Sequence, residues 1–316
     1  MESSNIHNLG EVNMSSTEYH FHRALTVSNS AVVWGSKNYG GDAGTNDLTN
    51  IADISCGGNA CVARYVNGTA VAWGHGNNGG DASSIDLTTD IVDISCGGGA
   101  CVARRNDGTA AVWGNQDFGG DPGTNDLTNI ADISCGRWAC VARYVNGTAV
   151  AWGNIDRGGN ALDVDLTNIA DISCGGNACV ALRDDGTAVA WGDDIRGGNA
   201  GIVLENIADI SCGGFACVAR RDDGTAVAWG HIAEGGDASN VDLTNIADIS
   251  CGGRACVARR NDRTAVAWGD STVGGDASNV DLTNIADISC GRNACVARRD
   301  DGTAVAWGHI AEGLYP

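Results

Sequence analysis

"ISCGGNACVALRDDGTAVAWG", residues 172–192, decides how this chain folds. A near copy, "ISCGGNACVARYVNGTAVAWG", fills residues 54–74. Inside the motif two short runs, "ACVAL" and "TAVAWG", flank "RDDGT". Asp-Gly and Asn-Gly pairs tolerate positive φ, so this spacing predicts two strands joined by a tight hairpin turn. Upstream, "ADIS" alternates and ends at Gly-Gly, which predicts a preceding strand. Downstream, the looser "GGDASNVDLTN" is expected to hold a short fourth strand around "DLT".

Trp-Gly pairs fix the register along the chain. They fall at Trp34, Trp73, Trp113, Trp152, Trp191, Trp229, Trp268 and Trp307, with gaps of 38 to 40 residues. Several short strands per unit, repeated at such a period, read as the blades of a β-propeller. No 3.6-residue periodicity competes with this reading. The first unit is degenerate: "ALTVSNSAVVWG" (24–35) aligns with "ALRDDGTAVAWG" (181–192), and "NLGEVN" (8–13) with "NIADIS" (50–55). The expected organisation is one all-β propeller domain. Residues 1–46 form a degenerate first repeat, 47–308 seven regular repeats and 309–316 a tail. Eight blades are favoured over seven. Arg263, in "NDRT", replaces the usual turn glycine and predicts a strained or rearranged turn.

The repeat resembles that of the regulator of chromosome condensation family, roughly I-x-x-G-x-x-H-x-x-A-L-x-x-D-G-x-V-x-x-W-G. The even period is similar still more to the propeller-type β-lactamase inhibitors of soil bacteria. The first resemblance implies a propeller, typically of seven blades, and by analogy guanine-nucleotide exchange on a small GTPase. Exchange factors of that family use insertions, for which gaps of 38 to 40 residues leave no space. The family's His position holds Ala here, as at Ala60, Ala100 and Ala178. The second resemblance implies binding through aromatic loop tips on one face.

The 316 residues carry 47 Gly, 2 Pro and a net charge of −20. That charge disfavours nucleic acid, whose phosphates need excess Lys and Arg, and anionic membrane surfaces. It permits a basic protein partner. No apolar run approaches a membrane span, so no membrane insertion is expected. The first residues lack the pattern of a secretory leader, so a cytoplasmic or other intracellular location is expected. Asn67-Gly-Thr and Asn146-Gly-Thr then read as turns alone.

Fourteen cysteines form seven C-x4-C pairs: Cys56/Cys61, Cys96/Cys101, Cys135/Cys140, Cys174/Cys179, Cys212/Cys217, Cys251/Cys256 and Cys290/Cys295. Reduced thiols serving as small apolar residues are the favoured reading. Intra-blade disulfides, which would imply an oxidising compartment, are the minority reading. A metal- or redox-active ring is the third, although the spacing lacks the knuckle of zinc sites.

If the strands alternate in direction, two loops of each unit leave from one face. One is the four-residue tip between the cysteines, and the other follows Trp-Gly. The opposite face is nearly constant, with "NGT/DGT" turns and "DLTNIAD" links. The first face varies: after Trp-Gly come "SKNY", "HGNN", "NQDF", "NIDR", "DDIR", "HIAE", "DSTV" and "HIAE". Aromatic and Arg residues at variable tips are the types that dominate protein interfaces. The candidate partner-binding residues are Trp138, Phe215, Arg137, Arg254 and Arg292 at the tips. Tyr39, Phe118, Arg157, Arg196 and His231 follow Trp-Gly. No catalytic constellation, cofactor motif or metal site is expected. Asp237 and Asp242 lack the dense carboxylates of a calcium loop. The recurrent Asp53, Asp93, Asp132, Asp171, Asp209, Asp248 and Asp287 are expected to pair with positions such as Arg64, or to face solvent. The expected function is therefore a non-enzymatic scaffold, adaptor or inhibitor that binds another protein.

Overall fold

In the computed structural model of the chain, residues 22–27, 30–35 and 37–309 are described. A two-stranded hairpin, β1 (His22–Val27) and β2 (Ser30–Gly35), comes first. The next unit is a three-stranded antiparallel sheet of β3 (Ile51–Cys56), β4 (Ala60–Tyr65) and β5 (Ala70–Gly74). Six further sheets repeat this order, beginning at Ile91, Ile130, Ile169, Ile207, Ile246 and Ile285. The fold is an all-β propeller with seven three-stranded blades among the described residues. Of the first sequence repeat, the described residues form the two-stranded hairpin. Its aligned segment at 8–13, and the tail from 310, lie outside the described residues.

The expected fourth strand is not formed. The "DLT" segment gives one backbone bond per unit, as from the Ala70 N–H to the Leu87 carbonyl at 2.8 Å. The reason is local. Asp86 Oδ1 accepts the Thr88 N–H at 2.9 Å, which bends the chain into a turn before a ladder can extend.

Successive sheets pack face to face. Ile54, Cys56, Cys61, Ala63 and Trp73 of the first blade meet Ala31 and Val33 of the hairpin. On the other side Val62, with Ala70 and Ala72, meets Ile94, Cys96, Cys101 and Trp113 of the next blade. Large side chains on one face thus fill the space left by small ones on its neighbour. Val62 is 0% exposed, and burying such a side chain contributes about 1.5–3 kcal/mol, so apolar cohesion lies mainly between blades.

Two polar devices fix the spacing. Each inner strand would present unpaired N–H groups along its edge. Six of these, from Cys96 N to Cys290 N, donate to the Ser Oγ of the preceding blade at 2.9–3.0 Å. Each repeat Trp from Trp73 onward donates its indole N–H to a glycine carbonyl in the preceding loop, at 2.8–3.0 Å. One such glycine, Gly158, has φ +103°, and a Cβ there would stand 3.0 Å from Cys179 Sγ. At Gly159 a Cβ would stand 2.4 Å from the Gly153 carbonyl carbon, so the Gly-Gly after the loop is demanded by a left-handed backbone and by close packing.

The favoured reading of the cysteines as reduced thiols is corrected at every pair. Cys56–Cys61, Cys96–Cys101, Cys135–Cys140 and Cys174–Cys179 are disulfides. So are Cys212–Cys217, Cys251–Cys256 and Cys290–Cys295. Their Cα–Cα distances are 4.0–4.1 Å, and no described cysteine is free. The physical reason lies in the tip. The Gly57 N–H donates to the Ala60 carbonyl at 2.8 Å. Cys56 and Cys61 are thereby the next, narrow pair of the ladder, directly opposed. The same register sets Cys212 against Cys217, Cys251 against Cys256 and Cys290 against Cys295.

Arg263 adopts φ +65°. The turn keeps its usual bonds, with Arg263 N donating to Arg260 O at 3.0 Å and Ile285 N to Arg263 O at 2.8 Å. Of the two expected outcomes, strain is the one found.

Candidate protein-binding face

The cysteine-bracketed tips gather about the axis. Their backbone is shared between blades: Gly58 N donates to Gly97 O at 3.0 Å, and Gly214 N to Gly252 O at 2.8 Å. A Cβ on Gly57 would fall 1.8 Å from the Gly97 carbonyl oxygen. Only the residues beyond the first glycine of each tip vary, and Arg137 and Arg292 stand where Gly58 and Gly214 do.

After Trp73, Trp113, Trp152, Trp191 and Trp229 the loop is a single 3-10 turn between a polar residue and a left-handed glycine. In Asn154–Gly158 the Asn154 side chain accepts the Asp156 N–H at 3.2 Å, and Ile155–Arg157 form the turn. This geometry turns the third residue inward and leaves the first two outside: Ile155 and Asp156 are exposed, while Arg157 is half-buried.

The inward residues and the tips therefore meet, on one face. Phe118 stacks on Trp138 with centroids 4.4 Å apart. The guanidinium groups of Arg137 and Arg157 lie 4.8 and 4.6 Å from the same indole. Arg157 also donates to Asn177 Oδ1 at 3.0 Å, and Asn177 donates to Gly214 O at 2.6 Å. The Trp138 indole N–H is buried and finds no acceptor among the described residues. A second cluster centres on Phe215. Arg196 and Arg254 lie 5.6 and 5.8 Å from its ring, and His231 meets it edge-on at 6.5 Å. Tyr39 stacks on His75 at 6.0 Å, away from both clusters. Arg292 packs back over Gly253, where a Cβ would meet its Cγ at 2.8 Å.

Several partners of these residues escape a reading by residue type. Arg254 is held by Glu234 at 3.2 Å and Asp270 at 3.6 Å, and Arg196 by Asp193 at 2.6 Å. Asn177, 2% exposed, bridges two tips. Glu234 and Asp270 follow Trp-Gly, so their place in the variable tetrads was the available signal. The same turns also push Ile155, Ile195 and Ile232 outward.

Carboxylates elsewhere serve the scaffold. Asp237 and Asp242 cap turns, accepting Ser239 N at 2.8 Å and Thr244 N at 3.1 Å. The Thr244 hydroxyl donates to Asp242 at 2.7 Å, and it, with these backbone bonds, holds the carboxyls below the usual range. The recurrent Asp of each inner strand accepts the next N–H of its own strand, as Asp53 does from Ile54 at 2.8 Å. Asp93, Asp209 and Asp248 stand 3.9–4.0 Å from Arg104, Arg220 and Arg259. Burial nevertheless raises these three carboxyls, and Asp171 with them. No group of three His, Cys, Asp or Glu residues suited to a metal occurs among the described residues. Nor is any helix there long and apolar enough to cross a membrane.

The sequence profile of the Regulator of chromosome condensation (RCC1) repeat matches residues 169–197, one unit of the chain. No curated protein matches the sequence. Human WBSCR16 is similar in structure, with TM-score 0.57 and 14% identity over 84% of this chain and 87% of that one. Prp20p from Saccharomyces cerevisiae, solved with a study of its binding to Gsp1p and histones, has TM-score 0.56 and 17% identity. That match covers 82% of this chain and 88% of Prp20p. The computationally designed Ika8 protein has TM-score 0.51 and 17% identity over 95% and 98% of the two chains. The chain is thus an RCC1-like repeat propeller.

Proposed function

We propose that this RCC1-like repeat propeller is a non-enzymatic scaffold that binds another, basic protein through its variable face. One observation carries the reading. Eight of the ten residues singled out by type pack into two aromatic–guanidinium clusters on that face. The opposite face is uniform for a backbone reason. Its turns interlock, with the Ile91 N–H donating to Gly68 O at 2.8 Å and Val66 N to Asn50 O at 2.9 Å. Aromatic and Arg anchors at a rigid surface are the usual source of binding energy between proteins.

The seven disulfides favour an oxidising compartment over the intracellular setting expected from the N-terminal residues. They weigh against a redox-cycling ring, because one sulfur of every pair is sealed from solvent. Cys61, Cys101, Cys140, Cys179, Cys217, Cys256 and Cys295 are at most 1% exposed.

The test is quantitative recovery of protein partners from the source organism on immobilised, disulfide-intact protein. Trp138→Ala with Phe215→Ala is expected to reduce recovery at least tenfold, in line with anchors worth about 2 kcal/mol each. Equal recovery by a double variant of unchanged melting temperature would remove the tips from the interface. Accelerated nucleotide release from a small GTPase would redirect the reading to exchange.

A further inference from the structure

We propose that the outer rim of the variable face, over three consecutive blades, docks a partner segment that carries apolar side chains interspersed with Lys or Arg. The proposal rests on the protein-binding reading above and adds a location and a chemistry to it.

Ile155, Ile195 and Ile232 occupy the outward positions of three successive 3-10 turns and are 69%, 70% and 74% exposed. The corresponding positions in the other described turns are polar or glycine: Lys37-Asn38, Gly76-Asn77, Gln116-Asp117 and Ser271-Thr272. Ile310-Ala311, at these positions in the last unit, lies outside the described residues. Leu162, 91% exposed, joins them. Single exposed apolar residues are ordinary. Here they recur at the outward positions of three neighbouring blades and share grooves in pairs. Ile155 and Leu162 line one groove. Ile195 and Ile232 line another, floored by Ala200 and Trp229.

Charge selects the occupant. Asp156, Asp163 and Asp194 stand beside Ile155, Leu162 and Ile195, and all three are exposed. The cations of the same turns face inward, Arg157 to Trp138 and Asn177, and Arg196 to Asp193 and Phe215. Asn160 and Asn199 keep their turn caps without a charge, accepting Leu162 N at 3.0 Å and Gly201 N at 2.9 Å. The strip therefore alternates apolar and anionic groups. A second copy of the chain would set carboxylate against carboxylate, whereas an apolar and cationic segment complements both features.

The test uses the intact, oxidised protein and a fluorescent amphipathic peptide of leucine and lysine, with a companion in which serine replaces every leucine. Wild-type protein is expected to bind the leucine peptide at least tenfold more tightly. The Ile155→Ser, Ile195→Ser, Ile232→Ser variant, changed only at exposed positions, is expected to lose that advantage. Trp138→Ala with Phe215→Ala is expected to keep it, which separates the rim from the tips. Equal affinity for the two peptides would reduce the effect to bulk charge and overturn the proposal. So would a triple variant that retains the advantage, or a self-associated protein that the triple variant turns monomeric. Failure at the rim leaves the partner-recovery result at the tips standing, and the converse also holds.

Discussion

At the scale of single residues, backbone conformation decides more than side-chain chemistry. Seven links on the constant face place Asn, or Asp90, at φ +53° to +58°, where a short polar side chain is tolerated. The hairpin turns use Gly there, except at Arg263. Its left-handed backbone costs on the order of 1–2 kcal/mol. Its ion pair with Asp300 is exposed and recovers little of that. Arg263→Gly is therefore expected to stabilise the fold by about 1 kcal/mol, read as a higher urea midpoint with unchanged slope. A lower midpoint would mean that the ion pair outweighs the strain.

At the scale of the element, each blade is a hairpin closed by a disulfide and stapled by a Trp. The loop between the two cysteines spans a sequence separation of 5, so its closure entropy is small, about 2 kcal/mol. Replacing Cys174 and Cys179 together by Ala should cost about that much in a chemical melt. A thiol titration of unfolded, unreduced protein should find none of the fourteen cysteines reactive, and reductant should then expose all of them. Fourteen reactive thiols before reduction would restore the apolar-thiol reading.

Across the whole molecule, the recurrent aspartates line successive inner strands. In six of the seven blades the register sets Arg opposite Asp, as for Asp53 and Arg64. Blade four places Leu182 opposite Asp171 instead. Burial raises the Asp171 carboxyl, and Asp132 adds to the rise. A raised carboxyl favours the fold below its unfolded value of about 3.9. That contribution is lost as pH climbs through the folded value. At neutral pH the folded chain thus holds a charge that the unfolded chain holds more easily. Asp171→Asn, which can still accept the Ile172 N–H, is expected to raise stability at neutral pH and to flatten its decline above about pH 4. Capping aspartates such as Asp185 and Asp223, which are lowered by bonds to Thr187 and Thr225, act in the opposite sense. They cancel in the difference between wild type and variant. Parallel stability curves for the two proteins from about pH 4 to 7 would rule out a raised Asp171.

Much of this architecture was legible without coordinates, because a period of 38 to 40 residues with Asn-Gly and Asp-Gly turns leaves few ways to bury alternate faces. The two-faced arrangement of loops follows from strand direction alone, and it anticipated that Phe215 and His231 would share a side. What depended on the tertiary structure were distances between segments about one repeat apart, and the pairing within each tip. The closure of Cys56 on Cys61, like that of Cys251 on Cys256, depends on a narrow ladder pair. The stacking of Phe118 on Trp138 depends on how far adjacent blades rotate. The exposure of Ile155, Ile195 and Ile232 depends on which position of a 3-10 turn points outward. Periodicity and turn chemistry are local properties, written residue by residue. Contacts between repeats arise only when neighbouring blades pack against one another and settle which side of each loop faces the axis.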